Sequence, residues 1–150
     1  VIDRTWSEPV IERAAVVQCA RSYLLTPWHH QGRVKGPKGG IDCAGLIICV
    51  AKELGIADVD FANYSAHADG TLKFVCARYM QSIPANHAQP GDVLVFAFEV
   101  EPHHLGIVAE YDGQPTVIHS YAQARCVVEN AIDPTWRPMI RGAYAMPGVE

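Results

Sequence analysis

At 150 residues, 49% of them hydrophobic and 19% charged, the chain has the size and composition of one globular domain that needs no disulfide staples. A formal net charge of −4, with no basic patch or RNA-binding signature, argues against nucleic acid as the main partner. No apolar stretch reaches the ~20 residues that span a bilayer, and the opening Val1-Ile2-Asp3-Arg4-Thr5-Trp6 does not read as a signal peptide.

In chain order, Ser7-Glu8-Pro9 reads as a helix entrance, with Ser as cap and Pro in the first turn. Val10, Ala14, Val17, Ala20 and Leu24 follow at helical spacing, and the helix should stop before Pro27. Pro27 to Gly40 has no periodicity. A phosphate-loop reading of its glycines and lysines fails, because no GK[ST] occurs and no strand precedes it. Two readings stay open: a solvated basic loop, or a substrate rim whose Arg33, Lys35 and Lys38 would meet free carboxylates.

Gly39-Gly40-Ile41-Asp42-Cys43-Ala44-Gly45-Leu46 comes next, and the apolar run Leu46 to Ala51 ends at Lys52-Glu53-Leu54-Gly55. The pattern predicts a helix beginning at or beside Asp42, with Cys43 in its first turn. There, free backbone N–H groups and the positive end of the helix dipole would lower the thiol pKa and make Cys43 a nucleophile. The five cysteines contain no CxxC pair and read as reduced thiols, with Cys19 and Cys76 as packing residues.

Ile56 to Gly70, which carries Tyr64 and His67, is polar and irregular, and Thr71 to Gln81 is helical again. After the turn Gln89-Pro90-Gly91-Asp92, the β-forming run Val93 to Phe98 begins a series of strands. His104 to Tyr111 ends at Asp112-Gly113, a hairpin signal, and Thr116 to Tyr121, Arg125 to Glu129 and Ile140 to Ala145 follow. The layout is α+β in a single domain over residues 1–150: N-terminal helices packed on a five- to six-stranded antiparallel sheet.

A cysteine nucleophile needs a base, and the base needs an orienting group. His104 opens one strand and shares its face with Gly106 and Val108; the small Gly106 leaves room for a neighbour. His119 lies on the next strand, within reach if the hairpin register allows. His103 should point the opposite way. Alone, either histidine would more often be a satisfied polar residue and the cysteine a structural one; their joint placement is what points to catalysis. All three are zinc-ligand types, but neither HExxH nor paired CxxC occurs, so no metal and no cofactor is expected.

Gly40-Ile41-Asp42-Cys43-Ala44-Gly45-Leu46-Ile47 resembles the (F/I)-D-C-(S/A)-G-L motif of the NlpC/P60 cysteine peptidases. Gln89-Pro90-Gly91-Asp92-Val93 resembles their PGD element, His104-Leu105-Gly106-Ile107-Val108 their H-V-G-I-Y strand, and Val117-Ile118-His119 their third polar position. The likeness spans about residues 10 to 145. With the Pro27-Trp28-His29-His30-Gln31-Gly32-Arg33 loop, the chain looks most like the phage-type branch of tail-associated and gene-transfer-agent cell-wall peptidases.

The resemblance implies a papain-like fold and hydrolysis of peptidoglycan stem peptides, often at D-γ-glutamyl bonds to a diamino acid. Cys43 would be the nucleophile, His104 the base and His119 the orienting residue. It also implies action on the cell wall, in the periplasm or outside the cell, with delivery by a phage-like particle and phage tail proteins as partners. One departure stands out. Many members have Pro-Tyr-x-Trp-Gly-Gly before the nucleophile, whereas here Trp28 follows Pro27. The vacant tyrosine role would pass to Trp28, His29 or His30. Asp42 reads mainly as a cap or anchor, and Arg33 joins these residues as a substrate-binding or oxyanion candidate. The rival readings are a catalytically silent wall-binding or tail module, and a papain-like acyltransferase or amidase using the same triad.

Overall fold

The computed structural model describes residues 10–61, 64–66 and 69–150, so the expected Ser7-Glu8-Pro9 helix entrance and His67 lie outside the described residues. Helix α1 (Arg13–Arg21) is followed by strands β1 (Arg33–Val34) and β2 (Gly40–Ile41), then by helices α2 (Cys43–Glu53) and α3 (Thr71–Tyr79) and strand β3 (Gln81–Ile83). Strands β4 (Val93–Phe96), β5 (His104–Tyr111), β6 (Gln114–Tyr121), β7 (Cys126–Ala131) and β8 (Ile140–Ala145) follow. The main sheet is six-stranded and antiparallel, in the order β3-β8-β4-β5-β6-β7. Among the described residues no helix is long and apolar enough to cross a membrane.

Period-2 alternation along the strands divides the core between the two faces of the sheet. Leu105, Ile107 and Ala109 of β5, with Ile118 and Val127, pack under Val16, Val17 and Ala20 of α1 and Leu46, Ile47 and Val50 of α2. Leu94, Phe96, Val108 and Val117 point the other way, towards Trp136, Met139 and Ile140. Each such side chain, fully buried, contributes about 1.5–3 kcal/mol. The Asp112-Gly113 turn has φ of 52° and 75°, the left-handed pair that a two-residue hairpin demands. It fixes Tyr111 against Gln114 and Ile107 against Ile118, and so sets which residues of β5 and β6 meet.

Four expectations shift. Val10 is not helical: Ile11 exchanges backbone hydrogen bonds of 2.9 Å with Gly148 and Glu150, holding the segment extended until Arg13. The third helix stops at Tyr79, because Met80 is extended (φ −130°, ψ 164°) and opens the edge strand β3. The β4 ladder ends at Phe96, where its pairing with β8 slips register, two residues short of Phe98. The aperiodic stretch before Cys43 contains a small hairpin, β1 on β2, with Trp28 bridged to Ile41. Two-residue strands are too short to leave an alternating signal.

Candidate active site

Cys43 is the first residue of α2, and Asp42 is its cap: the Asp42 backbone is extended, and Oδ1 accepts a 2.8 Å hydrogen bond from the Gly45 N–H. With Gly45 thus satisfied, the amides of Cys43 and Ala44 are left to face the sulfur, where they favour its charged form. Asp42 is only 4% exposed. Its Oδ2 accepts from the Gln31 N–H at 2.7 Å and from the Tyr64 hydroxyl at 2.6 Å, and Arg33 donates to Oδ1 at 3.2 Å. A carboxylate so fully engaged is an anchor, as its position before Cys43 suggests, and has no lone pair to spare for substrate.

The same network corrects the reading of the basic loop. Arg33 also donates to the Tyr64 hydroxyl, to the Gly32 and Phe61 carbonyls and to Asp60, so its guanidinium is engaged within the protein. Lys35 pairs with Glu53 at 3.6 Å and lies over the Tyr23 ring. Two of the three cations of the supposed carboxylate-binding rim therefore face partners inside the protein.

A cleft of about 250 Å³ brings Cys43 together with His104, and Trp28, His30, His103 and Tyr121 line it as well. His29 is not among its lining residues; its Cβ packs against Gly40 and its Nδ1 contacts the His30 carbonyl. His103 departs from the expectation that it points away. It precedes the regular strand, so strand alternation does not govern it; its ring packs edge-on to Phe98 and its carbonyl lies 3.9 Å from the Cys43 sulfur.

His104 shares the sheet face of Gly106 and Val108, the face turned away from the helices, and reaches the cleft because it stands at the very start of β5. Behind it, Nε2 of His104 lies 2.6 Å from Nδ1 of His119, a fully buried side chain. His119 in turn places Nε2 2.5 Å from Oδ1 of Asn130 on β7. Gly106 makes the pairing possible: a Cβ there would stand 3.2 Å from the His119 Cβ and 2.3 Å from Val117 Cγ2. Tyr121 stacks on His119 at 5.4 Å, Trp136 meets it edge-on at 5.0 Å, and Phe98 covers His104 at 5.0 Å.

Burial in this aromatic box holds His104 well below the ordinary imidazole range, helped by repulsion from His119 and His103. Burial lowers His119 as well, against the opposing hydrogen bond to Asn130. The thiol runs contrary to expectation. Burial and the charge of Asp42 push Cys43 up to about 12, outweighing the backbone amides of Leu105, Ala44 and Cys43 itself. Burial and Asp42 thus push Cys43 towards the neutral thiol, against the thiolate that the helix N-terminus alone would favour, and burial pushes both histidines towards their neutral forms. All five cysteines are free, and Cys19 and Cys76 are buried as packing residues. Among the described residues, no group of three or more His, Cys, Asp or Glu side chains is placed to hold a metal ion.

A sequence profile described as the NlpC/P60 family matches residues 26–144. The chain belongs to the NlpC/P60 family. It is 31% identical over 109 residues to a Mycobacterium tuberculosis protein named "Probable endopeptidase"; the match covers 73% of this chain and 23% of that protein. The chain thus spans about a quarter of the length of the curated relatives it matches. Among solved structures it resembles an NlpC/P60 family protein from Bacillus cereus, with a TM-score of 0.67 and 22% identity over 92% of this chain and 41% of the other. The NlpC/p60 domain of peptidoglycan hydrolase SagA gives a TM-score of 0.61 and 22% identity, covering 89% of this chain and 98% of that domain. At such identities the likeness establishes the NlpC/P60 fold, which agrees with the α+β layout expected for the chain.

Two residues around this NlpC/P60 site escaped sequence reasoning. Tyr64, from the irregular stretch after α2, places its hydroxyl between Asp42 and Arg33, and lines the cleft. No periodicity marks it. Asn130 lies one residue beyond the expected end of its strand; extending the alternation from Val128 would have placed it on the face of His119.

Proposed function

We propose that this chain is a cysteine peptidase hydrolysing peptide bonds of bacterial peptidoglycan, with Cys43 as nucleophile, His104 as base and His119 as the residue that orients His104. The observation that carries the reading is the buried His104–His119 pair, 2.6 Å apart, behind the cleft that also holds Cys43 at the head of α2.

The chemistry follows from the resting state. With burial pushing both groups towards their neutral forms, His104 takes the Cys43 proton as the sulfur attacks the scissile carbonyl. The oxyanion would form against the Cys43 and Ala44 amides, which are fixed by the helix and need no reorganisation. His104 then returns its proton to the leaving amine and activates water to release the acyl-enzyme. The Phe98, Tyr121 and Trp136 rings keep water from the back of the pair while its charge changes.

The finer reading rests on the motif resemblance. It takes the bond to be D-γ-glutamyl to a diamino acid in the stem peptide, and residues 1–150 to be one catalytic domain. It places the enzyme at the wall as part of a phage-derived, tail-associated particle. The Trp28–Arg33 loop supports that branch, with Trp28 and His30 at the cleft as the substrate contacts.

Digestion of purified peptidoglycan by wild type and Cys43→Ala, with mass analysis of the fragments, tests the proposal. Stem-peptide cleavage by wild type alone is the expected result, and the fragment masses report the bond. Equal turnover by both proteins would remove Cys43 from the mechanism.

A further inference from the structure

Asn130 stands at the far end of a hydrogen-bonded line that begins in the cleft. Its amide orientation is fixed by the line's last link, since Nδ2 donates to the Ala131 carbonyl at 3.1 Å and so turns Oδ1 towards His119. A carbonyl oxygen can only accept, so the facing nitrogen of His119, Nε2, must carry a proton. A neutral His119 then has a bare Nδ1, which can only accept, and the proton between the rings belongs to Nε2 of His104. By elimination, Nδ1 of His104 is bare.

We infer that Asn130 sets the tautomer of the whole histidine pair and thereby makes His104 Nδ1 the proton acceptor for Cys43. It is a positioning residue, acting through His119 without touching substrate, and its catalytic weight rests on the peptidase reading above. His119 alone cannot do this. Imidazole is symmetric in its ability to donate from either nitrogen, and without an acceptor-only partner the pair could invert. His119 would then donate from Nδ1 and drive the His104 proton onto the nitrogen that has to receive one. The placement on β7 is firm, because Asn130 pairs with Val117 in the ladder, two residues from His119's own partner Val128.

The test reads the tautomers directly. Ring-nitrogen NMR of the histidine-labelled protein near pH 7 should show both His104 and His119 protonated at Nε2. In Asn130→Leu, which keeps the volume and loses the acceptor, a Nδ1-protonated population should appear at both rings together. Alkylation of Cys43 by iodoacetamide, followed on its peptide by mass spectrometry, should slow by roughly five- to tenfold, the rate equivalent of one net hydrogen bond. Asn130→Asp should restore Nε2 protonation and alkylation, and shift the titration of the pair upward by adding a negative charge.

Unchanged tautomers and an unchanged alkylation pH profile in Asn130→Leu would overturn the inference. If that variant does not fold, Asn130→Ala, read by the same NMR, takes its place: unchanged tautomers overturn the inference, and a new Nδ1-protonated population at both rings supports it. Neither measurement needs a cell-wall substrate. Failure of the peptidase reading would show as wild type leaving peptidoglycan intact, with the tautomer result still legible.

Discussion

Gly106 and His119 sit side by side on β5 and β6, so close that a methyl group on Gly106 would lie 3.2 Å from the His119 Cβ and would overlap Val117 Cγ2. The missing side chain is what lets two imidazoles on neighbouring strands share a hydrogen bond. Gly106→Ala should therefore cost about 1–3 kcal/mol as an overpacked core, measured by urea unfolding. Turnover should fall further than stability explains, because the displaced ring is His119. A variant with wild-type stability and turnover would show that the strands can part without cost.

The Tyr64 hydroxyl donates to Asp42 at 2.6 Å while accepting from Arg33 at 2.9 Å. Tyr64→Phe leaves Asp42 with its Gln31, Gly45 and Arg33 partners, so the cap survives. The loss should be about 1.5–3 kcal/mol, the range for a hydrogen bond to a charged group. Denaturant titration checks it, and helical circular dichroism should be unaltered. Because Tyr64 also lines the cleft, KM should rise with it.

How far these relationships could be read beforehand depended on the range of the interaction. The Asp42 cap, the Asp112-Gly113 turn and the β5 face shared by His104 and Gly106 are local: each follows from a few consecutive residues and a fixed period. The pairing of His104 with His119 needed a register, which a two-residue turn supplies only once its conformation is known. Tyr64 and Arg33 were beyond reach, since they meet Asp42 from 22 and 9 residues away through loops with no period. The thiol pKa failed for another reason. Helix position and the adjoining charge of Asp42 are legible in sequence; burial, the largest effect at Cys43, belongs to the folded protein.

That charge can be tested. Asp42 raises the Cys43 pKa, second only to burial. Asn caps a helix about as well as Asp does, so Asp42→Asn should keep α2 while removing the repulsion. Its Cys43 pKa should drop below the wild-type value of about 12, and alkylation of Cys43 at pH 8 should accelerate. Stability should decline, because Arg33 loses an ion pair at 3.2 Å. An alkylation profile identical to wild type would mean that the carboxylate does not act on the sulfur.

The histidine pair should also leave a signature in stability against pH. Both His104 and His119 have folded pKa values below the ordinary imidazole value of 6.5. Between that value and the depressed ones, the unfolded chain holds protons that the folded protein does not, so unfolding becomes easier as pH falls. The stabilisation is complete above about pH 6.5 and erodes below it, by up to about 1.4 kcal/mol per pH unit for each histidine. The carboxylates of Glu53 and Glu129, also depressed, act in a separate window below their ordinary value of 4.5. Urea midpoints between pH 5 and 8 should therefore fall towards acid in the wild type and fall less steeply in His119→Gln, which removes one titrating ring and the repulsion on the other. Equal slopes in the two proteins would mean that the pair is not buried neutral.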